Sequence, residues 1–316
     1  AMTVLNKIGK LLDPDIRKKN INALQITLKE HYWDIFGHDM PDPIFILGCS
    51  RAGTTVTYET ISSSPSLIKF GYEILVFWER VYGLQHNSWE SEVALAKDAR
   101  PEHRKQFFKY AYARLGEGRV LDKTCINALR GTYLYELFPN AQFIYIQRDG
   151  RDNISSMMDS WNKDDNFGLN QYLGKPKEII NIENGKFDQW RLFYPPGWRE
   201  YNNAALEEVC AFQWISANQH CLDAKAIIPQ NQWSHLRYED LFSRPVEMFE
   251  GVFEKLDIPF TDDVRQRCET LNKRPTSIVN GAPELEKWRQ HNPRAIENII
   301  DKICPMQKKL GYDCEI

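Results

Sequence analysis

Ile44-Phe45-Ile46-Leu47-Gly48-Cys49-Ser50-Arg51-Ala52-Gly53-Thr54-Thr55 is the stretch that decides the fold. Pro41-Asp42-Pro43 precedes it, and prolines so placed stop any helix and launch an extended chain. Four apolar residues bounded by turn formers then predict a strand buried on both faces, as in a parallel sheet. A helical pattern follows over Val56–Ser62. Gly48 and Gly53 allow a tight turn whose amides converge at a helix N-terminus, an anion site, with the Thr54 and Thr55 hydroxyls beside it. The G-x-x-x-x-G spacing is that of a phosphate-binding loop. Thr54 stands where a nucleotide triphosphatase carries its lysine, and the cation is Arg51, inside the loop.

Outward from this loop, apolar runs at Leu67–Phe70, Arg119–Leu121, Gln142–Gln147 and Trp233–Leu236 predict further strands. Helical patterns at Ala128–Phe138, Ile154–Trp161, Leu206–Ala226 and Leu241–Leu256 lie between or after them. This alternation implies right-handed crossovers and an α/β fold, a P-loop-like open parallel sheet flanked by helices. Ligands of such sheets bind at the carboxyl ends of the strands. Residues 3–38 read as a polar-leaning helix with Leu5, Ile8, Leu11 and Leu12 on one face, either packed on the domain or resting on a membrane surface. The expected organisation is a helical segment over residues 1–40, packed on a single domain over residues 41–316.

The chain has 316 residues, with 40 Lys+Arg against 43 Asp+Glu, a formal charge of −3. Such a balance excludes a bulk nucleic-acid binder, which carries an excess of basic residues. The 12% aromatic content excludes a disordered chain. No stretch reaches the roughly 18 consecutive apolar residues of a membrane span. Seven cysteines (49, 125, 210, 221, 268, 304 and 314) are an odd count without a C-x-x-C pair. That predicts free thiols in a reducing compartment, and with no signal-peptide core at the N-terminus the expected location is cytoplasmic.

A second motif follows Gln142–Gln147: Arg148-Asp149-Gly150-Arg151-Asp152-Asn153-Ile154-Ser155-Ser156. Together the two motifs resemble the sulfotransferases that use 3′-phosphoadenosine 5′-phosphosulfate (PAPS). In that family a Pro-Arg-Ser-Gly-Thr-Thr-like loop holds the 5′-phosphosulfate. Here Ser50 and Ala52 depart from it, which implies 5′-end contacts from Arg51, Ala52, Gly53, Thr54 and Thr55 with one hydroxyl missing. The family's Arg and Ser eight residues apart, gripping the 3′-phosphate, correspond to Arg148 and Ser156. A guanidinium fork reads phosphate oxygens in two bonds and a helix serine adds a third donor. Leu121-Asp122-Lys123-Thr124 is similar to the family's Glu-Lys-Thr-Pro, with Cys125 in place of Pro, so Lys123 would face the sulfuryl group. Tyr238, in Tyr238-Glu239-Asp240-Leu241, resembles a tyrosine near the nucleotide, or is a half-buried amphipathic side chain. Val279-Asn280 and Glu286-Lys287-Trp288-Arg289 resemble the segment that closes over the nucleotide. Lys287 and then Ser277 are candidates there, against a reading as solvated surface.

The resemblance implies sulfuryl transfer to a hydroxyl or amine, leaving 3′,5′-ADP, with Arg51, Lys123 and the loop amides stabilising charge and no metal. The strand Leu67–Phe70 is expected to return beside the first strand and bring Gly71-Tyr72-Glu73 to the same end of the sheet as Arg51. In the branch resembling tyrosyl-protein sulfotransferases a Glu in this position is the base. Glu73 is therefore the candidate, against a helix N-terminal carboxylate, and His86 is the second. Tyrosine sulfation in the animal family is a secretory-pathway reaction. The expected acceptor here is accordingly a small alcohol, phenol or amine, with a protein tyrosine as the alternative.

The long aromatic connection over residues 161–201 is expected to wall the acceptor pocket as a lid, or to form a satellite apolar cluster. Asp159, Asp164 and Asp165 at its start either favour a cationic acceptor or are solvated. No nucleic-acid partner is expected, and a homodimer is left open. Two rivals stand beside this reading. A P-loop kinase of a small molecule would bind ATP with magnesium; a non-catalytic nucleotide-binding module would need neither Glu73 nor Lys123 at strand ends.

Overall fold

Ile44–Leu47 forms β1, the central strand of a five-stranded sheet in the computed structural model, which describes residues 14–37, 39–163, 167–271 and 284–316. The other strands are β2 (Leu67–Lys69), β3 (Arg119–Asp122), β4 (Gln142–Gln147) and β5 (Trp233–Arg237). They run parallel in the order β2-β3-β1-β4-β5. The main helices are α1 (Pro14–Phe36), α2 (Thr54–Ile61), α3 (Leu75–Tyr82), α4 (Pro101–Leu115), α5 (Gly131–Leu137), α6 (Gly150–Asn162), α7 (Leu206–Lys225), α8 (Pro245–Leu256), α9 (Asp262–Glu269) and α10 (Pro293–Lys309).

Alternate residues of β1 and β4 enter different cores. Ile44, Ile46, Ile144 and Ile146 pack with Val56 and Ile61 of α2 and with Phe249 and Phe253 of α8. Phe45, Leu47, Phe143 and Tyr145 join the larger core with Phe107 of α4, Leu134 of α5 and Trp214 of α7. Each fully buried side chain of this kind contributes about 1.5–3 kcal/mol, which is why a four-residue strand without alternating polarity can hold the middle of a sheet.

The structure corrects several expectations. β2 does not lie beside β1: it pairs with β3, which is inserted between them. The end of β2 still emerges on the carboxyl side of the sheet. The helix expected over Leu241–Leu256 breaks into a turn at Asp240–Ser243 and α8, because Pro245 has no amide to continue the ladder. The helix expected over Ala128–Phe138 becomes a 3-10 turn at Cys125–Leu129 followed by α5.

Leu5, Ile8, Leu11 and Leu12 lie outside the described residues. α1 rests on α4 through buried Trp33, an Asp34–Lys109 ion pair at 2.6 Å and a Glu30–Arg114 pair at 3.1 Å. Among the described residues no helix is long and apolar enough to cross a membrane. The expectation of free thiols fails at one pair. Gly311 turns the tail after α10 back on itself, and Cys304 and Cys314 are joined in a disulfide, while Cys49, Cys125, Cys210, Cys221 and Cys268 are free.

Candidate active site

The loop after β1 is set by its backbone. Gly53 caps α2 with φ 107°, and a Cβ there would stand 2.5 Å from a ring carbon of Tyr238, so the position is restricted to glycine by both conformation and space. Arg51 also has a positive φ, 71°. Asn153 of α6 donates to the Ser50 carbonyl at 2.8 Å and pins the loop to the helix that follows β4. Ala52 is buried and its amide donates to the Cys49 carbonyl at 3.0 Å. Across the same gap, Arg51 Nε donates to Ser156 Oγ at 3.4 Å.

Arg148 leaves the end of β4 and lies over the Tyr238 ring, 4.3 Å from its centroid. Its Nη1 donates to the Arg51 carbonyl at 3.3 Å and its Nη2 is 3.7 Å from Asp152 Oδ2. Its Nε is buried without a hydrogen-bond partner among the described residues. Burial first, and the charge of Arg148 second, pull the Arg51 guanidinium below its ordinary pKa. Burial pushes the Tyr238 phenol up. An orphaned guanidinium nitrogen beside a second, half-buried guanidinium is a donor set short of an anion, and phosphate oxygens fit it.

These groups line a cleft of about 1000 Å³, open to solvent, with Gly53, Thr54, Thr55, Ser156 and Lys287. Lys287 reaches it because buried Asp152 accepts from the amides of Glu286 at 2.8 Å and Trp288 at 3.2 Å, tying that segment to α6. Ser277, Val279 and Asn280 fall outside the described residues. Asp159 faces this cleft too, bonded to His291 Nδ1 at 3.0 Å and Asn292 Nδ2 at 3.3 Å, so it is not a carboxylate of the acceptor side. Asp164 and Asp165 are outside the described residues.

A second cleft, of about 930 Å³, shares Arg51, Thr54 and Thr55 with the first. Glu73, carried to it from the end of β2, accepts from Lys123 Nζ at 2.6 Å and from the Cys125 amide at 2.9 Å. Its carboxylate is therefore spent on the end of β3 and not on the amides opening α3. Lys123 turns toward Glu73, its side chain only 9% exposed, while its neighbour Asp122 is locked inward, accepting from Trp78 Nε1, Asn127 Nδ2 and Thr124 Oγ1 at 3.0, 3.1 and 2.7 Å. Burial raises the Asp122 carboxyl.

His86 does not reach either cleft. α3 carries it away by about 12 Å, eight residues at 1.5 Å each. There its Nδ1 accepts from the Gly83 amide at 3.0 Å and its ring lies on Tyr82. It is withdrawn as a candidate base.

The segment after α6 does two things at once. Trp161, Phe187, Trp190, Tyr194 and Trp198 pack mostly edge-to-face into the larger core. Phe167, Leu169, Tyr172 and Leu192 of the same segment line the second cleft opposite Leu75 and Val76 of α3. Sequence reasoning missed Asn153 and Asp152. Both lie on α6 within two turns of Arg148 and Ser156, so the helical period there was the usable signal. Among the described residues no three His, Cys, Asp or Glu side chains gather as a metal site.

A family model described as "Sulfotransferase family" matches residues 43–194. The protein-tyrosine sulfotransferase of Drosophila melanogaster is 25% identical over 301 residues, covering 88% of this chain and 53% of that one. The protein-tyrosine sulfotransferase A of Caenorhabditis elegans is 23% identical over 300 residues, 88% of this chain and 69% of that one. The chain thus spans about half the length of the Drosophila relative. Among solved structures, the sulfotransferase STF9 from Mycobacterium avium superposes with a TM-score of 0.56 at 13% identity, covering 94% of this chain and 86% of that one, a likeness of fold. The cytoplasmic expectation is overturned by these relatives: they are named for tyrosine sulfation, the reaction that the resemblance itself placed in the secretory pathway. The Cys304–Cys314 disulfide runs against the reducing compartment on which that expectation rested.

Proposed function

We propose that the chain is a sulfotransferase, in line with the family model over residues 43–194, and that it moves the sulfuryl group of PAPS onto a phenolic hydroxyl. The observation that carries this reading is the meeting of two clefts at Arg51, Thr54 and Thr55, with paired guanidinium groups on one side and a fixed carboxylate on the other. Gly53, Thr54 and Thr55 with Arg51 would hold the 5′ end of the donor, Arg148 and Ser156 its 3′-phosphate, and Tyr238 and Lys287 its flanks. The donor, when bound, supplies the activated sulfuryl group.

Glu73 takes the proton of the acceptor hydroxyl as the new O–S bond forms. Lys123 orients that carboxylate through its 2.6 Å hydrogen bond, and its ammonium would offset negative charge growing nearby. Arg51 and the loop amides hold the charge left on the departing phosphate. Leu75, Val76, Phe167 and Leu192 give the acceptor cleft apolar walls suited to a flat ring. That ring is a small phenol, in line with the apolar walls of the cleft. The names of the curated relatives favour a second reading, in which it is the side chain of a protein tyrosine.

Calorimetry separates this reading from its rivals. 3′,5′-ADP is expected to bind and magnesium ATP not; the reverse order would make the protein a kinase. Labelled PAPS offered with 4-nitrophenol and with a tyrosine peptide then identifies the acceptor. Binding of 3′,5′-ADP without transfer to any acceptor would leave a non-catalytic nucleotide module.

A further inference from the structure

Leu192 holds a conformation that leucine rarely adopts. Of the residues that the 167–192 stretch gives to the acceptor cleft, it alone has its backbone in the left-handed region, with φ 72°. Glycine is the unstrained choice there, and strain of this kind persists only where the surroundings over-determine the backbone. They do so here. Buried Gln213 of α7 donates through Nε2 to the carbonyls of Arg191 at 2.8 Å and Phe193 at 2.7 Å. The Cys125 thiol approaches the Leu192 carbonyl at 3.6 Å. Buried Glu92 accepts from the Tyr194 amide at 2.6 Å, and the Leu192 amide donates to the Phe167 carbonyl at 3.2 Å.

We propose that Leu192 is a specificity-determining residue of the acceptor cleft, a fixed apolar stop against substituents that flank the acceptor hydroxyl. The inference rests on the phenol reading above. Its geometric basis is Cys125, which touches both ends of the relation: its thiol meets the Leu192 carbonyl and its amide holds Glu73 Oε2. The stop is thereby set at a constant offset from the base. Because the side chain is closely packed, with 5% exposed, it cannot swing aside to admit a bulkier ring. A leucine kept where glycine would relieve strain is explained by use of its side chain.

The test compares phenol with 2,6-dimethylphenol as acceptors for PAPS, using the full chain and its L192G and L192A variants. The ratio of kcat/KM for 2,6-dimethylphenol to that for phenol is expected to rise at least about tenfold in L192G and by less in L192A, mostly through KM, the scale on which pocket methyl groups discriminate. Affinity for 3′,5′-ADP is expected to stay within about twofold, since no nucleotide contact changes. If melting curves show L192G unfolded, L192A decides by the direction of the same ratio. A ratio unmoved in the folded variants overturns the inference. So does a protein that binds 3′,5′-ADP yet sulfates neither phenol in any form. Failure of the unmodified chain to bind 3′,5′-ADP instead removes the proposed function beneath it.

Discussion

The nucleotide-side cleft takes its paired guanidinium groups from the ends of β1 and β4, whereas the acceptor-side cleft takes its apolar wall from an irregular connection between α6 and α7. Strand ends in a parallel sheet are fixed to one another by ladder hydrogen bonds, so Arg51 and Arg148 are placed by the fold itself. Among the described residues the acceptor wall has only a single antiparallel bridge, between Gly168 and Arg191. It is held by long-range anchors, Gln213 and Glu92, around a strained residue. Charge that must match a fixed ligand sits on the rigid part; surface that must match a particular acceptor sits where it can change without disturbing the sheet.

If this division is right, substitutions on the two sides should move different quantities. The largest effect is expected for Glu73→Gln: kcat falls by about 10²–10⁴, the range for a lost general base, while affinity for 3′,5′-ADP stays within about twofold. Steady-state kinetics with parallel calorimetry checks this, and full turnover in the variant would take Glu73 out of the mechanism. Arg148→Ala is expected to do the converse, weakening 3′,5′-ADP by about 1.5–3 kcal/mol, the cost of a charged hydrogen bond, with acceptor KM unmoved. Equal losses in both quantities would blur the division.

A smaller effect is expected for Gly53→Ala, whose Cβ would meet the Tyr238 ring and whose φ of 107° suits glycine alone. A stability loss of about 1–3 kcal/mol is expected, measured by denaturant unfolding, with weaker nucleotide binding. No change would mean that the loop is not pinned as described.

The smallest concerns the acceptor wall's anchor. Burial first, and the nearby Glu79 carboxylate second, raise the Glu92 carboxyl well above its ordinary 4.5, with the Tyr194 amide and Arg130 acting against them. The native state therefore keeps a proton that the unfolded chain gives up above that value, and stability falls as pH rises until Glu92 itself ionises in the fold. The slope contributed is at most about 1.4 kcal/mol per pH unit. Glu92→Gln keeps an acceptor for the Tyr194 amide and should flatten the fall that sets in above pH 4.5; an unchanged slope would remove Glu92 as its source.

The same contrast governs what the sequence made readable. Ile44–Leu47 and Gln142–Gln147 were legible as buried strands because every residue in them is apolar or aromatic except at the ends, and their loops carry local motifs. Arg148 and Ser156 were legible through the resemblance, which supplied an Arg at a strand end and a Ser eight residues on. The position of Glu73 at the carboxyl side of the sheet followed from the strand-end rule even though the place assigned to β2 was off by one strand. His86 failed because a short helix displaced it in a direction no local pattern encodes. The ties among Glu92, Cys125, Leu192 and Gln213 join four separate segments, and the Cys304–Cys314 bond joins a helix to a folded-back tail. Contacts of that kind are made by tertiary packing alone and leave no spacing to read.

The central claim is that one bisphosphorylated adenosine bridges two anion sites along the carboxyl edge of the sheet. A crystal of the chain grown with 3′,5′-ADP tests it most directly. The account predicts the 5′-phosphate against the amides and hydroxyls of Gly53, Thr54 and Thr55, and the 3′-phosphate on Arg148 and Ser156 of the same molecule. A nucleotide that leaves Arg148 Nε unpaired, or that seats its two phosphates away from Thr55 and Ser156, would contradict it.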